Sequence, residues 1–168
     1  MLETERVRFE PLNSKSTKDL ESLFCENNLV MKSTLKGRVF TKKEFEELVE
    51  NNFINSKEDN YGFRCIVTKS ESKIIGVSGL HKFKYLEKEY CEFGFILNEN
   101  YWGKGLASEI GNFWFNYAKN KMNLKELVAT VSPSNKASRK VLEKLKMEHF
   151  AEFISNERGK RLILRKIL

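Results

Sequence analysis

No apolar run in this sequence approaches the roughly 18 residues that a membrane-crossing helix needs, so a helical span is excluded. The opening Met1-Leu2-Glu3-Thr4-Glu5-Arg6 lacks a basic region followed by an apolar one, and no secretory signal is expected. Cysteine is scarce: Cys25, Cys65 and Cys91 form an odd set without CxxC or any other metal spacing. They are expected to be reduced, buried thiols of a cytoplasmic protein. Histidine is scarcer still. His81 and His149 stand far apart without ligand spacing, so no metal is expected. There is no tail-like block of like charges, internal repeat, low-complexity segment or linker, so residues 1–168 are expected to form one domain.

What remains is an ordinary globular composition. A chain of this length buries roughly 70% of its unfolded surface, enough for a core without staples. Hydrophobic residues make up 40% and charged residues 32%. The net charge of +7 suits an anionic partner: nucleic acid, an acidic protein surface or a phosphate-rich cofactor. The aromatic-basic motif of RNA-binding sheets and any zinc pattern are missing, so nucleic acid is not the expected partner.

Alternation in Val7-Arg8-Phe9-Glu10, ended by Pro11-Leu12, predicts an opening strand. Ser16-Thr17-Lys18-Asp19 resembles a capping box ahead of Leu20, Leu23 and Phe24 at helical spacing. A second box, Thr41 to Glu44, opens a helix with Phe45, Leu48, Val49 and Phe53 on one face. Residues 27–40 have no clear period and read as loop or broken helix. A hairpin is expected from residues 61–68 and 73–80 around the polar turn 69–72. In the next strand, 89–97, Cys91, Phe93, Phe95 and Leu97 face one way and Glu92, Gly94 and Ile96 the other. Leu106, Ile110, Phe113, Trp114 and Tyr117 then form one continuous helical stripe. Leu127, Ala129 and Val131 mark a strand stopped by Pro133, and Ala137, Val141, Leu142 and Leu145 a further helix capped by Ser134 or Asn135. Two strands, about 147–154 and 160–168, complete the order β-α-α-β-β-β-α-β-α-β-β.

Tyr101-Trp102-Gly103-Lys104-Gly105-Leu106-Ala107 lies between a strand and a helix. Without Cβ atoms, glycines let successive N–H groups turn toward one concavity and approach an anion. The helix beginning there adds unpaired amides and the positive end of its dipole, so main chain alone can cradle a phosphate. Lys104 either adds charge or points to solvent. The spacing is neither GxGxxG nor GxxxxGK(S/T), which argues against a Rossmann-type dinucleotide site and a P-loop. A glycine-rich turn that binds nothing would read the same.

With these segments in place, the sequence resembles the GNAT superfamily of N-acetyltransferases. That family's Gln/Arg-x-x-Gly-x-Gly/Ala signature aligns with Trp102 to Ala107. Trp102 departs from Gln or Arg, and Tyr-Trp-Gly-Lys-Gly is similar to the ribosomal-protein N-terminal acetyltransferase (RimJ/RimL-like) branch. Leu2 to Arg6, Ile75-Gly76 with Gly79-Leu80, Glu92-Phe93-Gly94-Phe95 and Asn135-Lys136-Ala137-Ser138 fit that branch too. Leu145-Lys146-Met147 departs where the family usually has Leu-Gly-Phe or Leu-Gly-Met, which puts the local turn in question. The resemblance covers nearly the whole chain. It implies a single-domain GNAT-like α+β fold: a central mixed, mostly antiparallel, twisted sheet of about seven strands flanked by about four helices.

The resemblance further implies acetyl-CoA as cosubstrate and no metal. Its pyrophosphate would lie on Trp102, Gly103, Lys104, Gly105, Leu106 and Ala107. Its pantetheine arm would lie in a gap where the preceding strand splays, paired with the backbone of Phe95, Ile96 and Leu97, as in strand addition. Asn135 would contact the cofactor, although capping alone accounts for an Asn there. Ser138 would lie near the thiol and protonate the departing thiolate. A CoA thiol with a pKa near ~8.5 could also leave unaided. Glu92, an acid in an otherwise apolar strand, is the candidate general base; the alternative is a solvent-facing strand position. Glu109, in the first turns of its helix, reads as structural.

The implied reaction is direct acetyl transfer to a primary amine in a ternary complex, driven by positioning and by N–H donors on the carbonyl oxygen. At pH 7 an α-amine with pKa ~7.8 costs ~1 kcal/mol to deprotonate, a lysine at ~10.4 costs ~4.6. A single carboxylate thus suits a protein N-terminal α-amine of the ribosomal-protein type. The alternatives are a small-molecule amine (polyamine, aminoglycoside or amino acid) and, from another class, a non-catalytic acyl-CoA-binding sensor. Monomer and homodimer are both compatible with the sequence.

Overall fold

The computed structural model describes residues 1–53 and 60–168. Along the chain run β1 (Val7–Glu10), α1 (Ser14–Cys25), α2 (Asn28–Met31), α3 (Lys42–Asn52), β2 (Gly62–Thr68) and β3 (Ile74–Tyr85). Next come β4 (Lys88–Leu97), a 3-10 turn (Glu99–Tyr101), α4 (Leu106–Met122), β5 (Glu126–Val131), α5 (Lys136–Lys144), β6 (Glu148–Ser155) and β7 (Gly159–Ile167). The strands form a seven-stranded sheet in the order β1-β2-β3-β4-β5-β7-β6. β1–β2, β5–β7 and β6–β7 pair antiparallel, and β4–β5 parallel, so the sheet is mixed as expected.

Two local readings are corrected, and the open one at residues 27–40 resolves to broken helix. The cap of α1 is Asn13, whose Oδ1 accepts from the amides of Lys15 and Ser16 while the Ser16 hydroxyl accepts from the Asn13 amide. Ser16 is therefore the far end of a capping box rather than the start of one. Within residues 27–40 a fifth helix, α2, forms because Asn27 caps it by accepting from the Val30 amide. β3 runs on to Tyr85, past the expected end at residue 80.

Two compact units divide the chain: residues 1–79 with 95–106, and residues 80–94 with 107–168. In the first, α1, α2 and α3 bury an apolar stripe against β2 and β3. Phe24 lies at its centre, edge-on to Phe40 at 5.7 Å and 5.5 Å from Phe45. Such aromatic pairs add roughly 0.5–1.5 kcal/mol beyond area burial. Gly76 of β3 lies against β4 so tightly that a Cβ would stand 2.0 Å from the Ile96 carbonyl oxygen.

In the second unit α4 covers one face of the sheet, where Phe93 meets Phe115 edge to face at 5.5 Å. Helix α5 approaches α4 closely at Gly111, where a Cβ would stand 2.3 Å from the Leu145 side chain. The turn placed in question by Lys146 forms intact. Lys146 takes φ +63, and the Met147 amide donates to Leu142, closing α5 in the six-to-one manner of a Schellman cap. A lysine there accepts a left-handed conformation costing roughly 1–2 kcal/mol. The three cysteines are free, and burial pushes the Cys65 thiol up to about 11 and the Cys91 thiol to about 12, which keeps both protonated.

Candidate active site

The 3-10 turn after β4 delivers the chain to Trp102, whose indole Nε1 donates to the Leu97 carbonyl at 2.9 Å. This bond ties the turn back to the end of the strand it left, although the ring stays 47% exposed. Gly103 and Gly105 follow at φ +73 and +75, a region that a Cβ disfavours. Among the described residues no atom lies within 4 Å of a Cβ built on Gly103, and only Arg6 Nη2, at 3.8 Å, near one on Gly105. The glycines thus serve the backbone angle and leave open space in front of it. Among the described residues, no backbone carbonyl takes the amides of Gly103, Lys104 or Gly105.

Arg6 Nη1 donates to the Lys104 carbonyl at 2.8 Å, bringing a fixed guanidinium beside the turn. The Lys104 ammonium rests 5.4 Å from the Tyr101 ring centre. Open amides, left-handed glycines, the start of α4 and a guanidinium make a concavity whose chemistry fits a phosphate-type anion. Phe95, Ile96 and Leu97 belong to the same unit as this turn. The adjoining Asn98 amide donates to Ile75 of β3 at 2.8 Å.

Glu92, Ala107, Asn135 and Ser138 belong to the second unit. Glu92 of β4 is in register with Val128 of β5. Its Oε1 accepts from the Thr130 hydroxyl at 2.6 Å and from the Thr130 amide at 3.2 Å. Burial raises its pKa, while the two Thr130 bonds and the charge of Arg161 oppose that rise. Glu92 itself is half-buried rather than exposed. Asn135 caps α5, its Oδ1 accepting from the Ser138 amide at 3.1 Å, so the capping role is real whatever else the side chain does. Ser138 is half-buried beside that cap.

The structure thus joins Trp102 to Leu97, Asn135 to Ser138 and Glu92 to Thr130. Arg6, Thr130 and Arg161 are the residues that sequence reasoning missed. Alternation in β5 does set Thr130 on the face opposite Leu127, Ala129 and Val131, but nothing local pairs it with an acid 38 positions earlier. Among the described residues no cluster of His, Cys, Asp and Glu could hold a metal ion, and no helix is long and apolar enough to cross a membrane.

Residues 6–148 match the family described as "Acetyltransferase (GNAT) domain". The uncharacterized N-acetyltransferase YnaD of Bacillus subtilis is 32% identical over 124 residues, covering 74% of this chain and 69% of that protein. Among solved structures, the ribosomal-protein-S5-alanine acetyltransferase of Vibrio fischeri superposes with a TM-score of 0.68 at 21% identity, covering 98% of this chain and 94% of that one. The spermidine N-acetyltransferase of Vibrio cholerae, in complex with CoA and spermine, gives 0.72 at 18% identity, covering 96% and 95%.

Proposed function

Because this chain belongs to the GNAT acetyltransferase family, and so uses acetyl-CoA as acetyl donor, we propose that it acts as one domain that acetylates a protein N-terminal α-amine, in the manner of the ribosomal-protein (RimJ/RimL-like) branch. The observation that carries the donor site is the open turn at Gly103 and Gly105, both left-handed, leading directly into α4. There the amides from Trp102 to Ala107, with Arg6 beside them, receive the pyrophosphate. Phe95, Ile96 and Leu97 offer backbone groups to the pantetheine amides, and among the described residues β4 and β5 are in register at one pair, Glu92 and Val128, as a splayed junction would leave them.

Acetyl-CoA supplies the activated acyl group; the chain supplies orientation and a proton acceptor. Glu92, with Oε1 fixed by Thr130, accepts the amine's proton, directly or through water. Its raised pKa brings the carboxylate nearer to neutrality, where a general base is most effective. Ser138 delivers a proton to the departing thiolate, and Asn135 contacts the donor while it caps α5.

A second reading, a polyamine acceptor, draws on a cavity of about 470 Å³ in the first unit whose lining includes Asp19, Glu26, Asn27 and Asn98. Its carboxylates would suit a cation, and the spermidine acetyltransferase shares the fold. Thiol release from acetyl-CoA, followed across peptides, polyamines and aminoglycosides, separates the readings. Turnover of peptide α-amines alone supports the first, and turnover of polyamines alone replaces it with the second.

A further inference from the structure

In the second unit, α4 covers the face of the sheet that carries Phe93, leaving Glu92 on the opposite face. On that opposite face Glu92 bonds Thr130, and Thr130 is in register with Ile163 of β7. Strand alternation then sets Arg161, two residues before Ile163, on the face shared by Thr130 and Glu92. A diagonal neighbour of this kind lies roughly 7–8 Å away along the backbone, within reach of a long side chain.

Among the described residues, Glu126 and Arg165 on this face are already matched. Glu126 bonds Lys88 and lies 3.6 Å from Arg165, whose guanidinium also sits 4.0 Å from the Phe150 ring. Arg161 differs: its Nη1 is buried and has no hydrogen-bond partner among the described residues. A buried guanidinium nitrogen without an acceptor costs free energy, and a ligand oxygen would recover it. We propose that Arg161, on the same face as Glu92 and with Nη1 unbonded, receives a carboxylate of the acceptor. The acceptor is thus an amine carrying an acidic group close to that amine, rather than a polycation.

This rests on Glu92 marking the acceptor side. Electrostatics point the same way, since the charge of Arg161 acts on Glu92 and a cation beside the base repels a polyamine. The acidic group has two possible sources: the carboxylate of a free amino acid, or an acidic side chain early in a peptide.

Matched acceptors distinguish them, an amino acid against its amide and an Ala-Asp peptide against Ala-Asn. The wild-type enzyme should prefer the acidic member of one pair by roughly 10- to 100-fold in kcat/KM, as expected for a hydrogen-bonded charge pair. That pair names the source. Arg161→Gln should bring the acid-to-neutral ratio toward one, and Arg161→Lys should restore part of it. No acidic preference in either wild-type pair, or an unchanged ratio in Arg161→Gln, overturns the proposal. Calorimetric binding of the same compounds to CoA-loaded protein gives the ratio without turnover. Acid-selective binding lost in Arg161→Gln would uphold the anion site even if no compound were acetylated, and that failure would fall on the acceptor reading above.

Discussion

Replacing Glu92 with Gln removes a proton acceptor and changes little else. The amide keeps a carbonyl oxygen for the two Thr130 bonds, at 2.6 and 3.2 Å, so the strand junction has no reason to move. If the carboxylate takes the amine's proton, kcat/KM should fall roughly 10²–10⁴-fold, which is about 2.7–5.5 kcal/mol of transition-state stabilisation. The pH profile should change shape as well. Wild-type activity should drop on the acid side as Glu92 takes up a proton, at a pH above the usual carboxylate range because burial raises its pKa. The variant should lack that limb and recover part of its loss as solvent deprotonates an α-amine near ~7.8. Stability should move the opposite way. A carboxyl whose pKa is raised by folding contributes stability that is present below its unfolded value, near ~4.3, and is lost as pH rises through its folded value. A glutamine escapes that loss, so the variant should gain on the wild type in urea midpoint as pH rises above the usual carboxylate range. Initial rates and urea midpoints from about pH 5 to 9, bracketing the ~7.8 of an α-amine, read both effects. Wild-type turnover in Glu92→Gln across that range would refute the reasoning, and a midpoint difference independent of pH would refute the desolvation argument.

Asn135→Ala should lose about 1 kcal/mol of stability through the vacated cap at the Ser138 amide. It should also weaken acetyl-CoA binding; a thermal shift without an affinity change would leave Asn135 a cap alone. Gly76→Ala should destabilise by about 3 kcal/mol or more, because its Cβ would stand 2.0 Å from a backbone oxygen of Ile96 that cannot rotate away. Denaturation of Gly76→Ala at the wild-type midpoint would show that β3 and β4 tolerate separation there.

Most of the fold was legible because its signals are local. The Thr41–Glu44 box, the stripe from Leu106 to Tyr117 and the alternation around Glu92 each act within a few residues and formed where expected. Asn13 was missed because Ser16 to Asp19 matched the same short pattern three residues later, and only the observed bonds decide between two adjacent frames. α2 is four residues long, too short to show a period, and its cap residue also bonds Glu99, 72 positions away. The site divides along the same line. The glycine turn could be read from spacing, whereas the Trp102 bond to Leu97, the Arg6 bond to Lys104 and the pairing of Glu92 with Thr130 depend on tertiary placement. Lys146 shows the converse: a missing glycine predicted trouble, and the Schellman bonds held the turn anyway.

The central claim, that the turn from Trp102 to Ala107 holds acetyl-CoA by its pyrophosphate, is tested most directly by titrating acetyl-CoA calorimetrically into wild-type and Gly105→Val protein. A Cβ on Gly105, at φ +75, meets no described atom nearer than Arg6 Nη2 at 3.8 Å, so the main loss is backbone strain of roughly 1–2 kcal/mol and the protein should still fold. Its branched side chain would stand in the open space before the amides and resist their orientation toward an anion. The account predicts a folded Gly105→Val protein whose acetyl-CoA affinity falls at least about 100-fold, a change of roughly 2.7 kcal/mol. A folded Gly105→Val protein that binds acetyl-CoA as tightly as the wild type would contradict it.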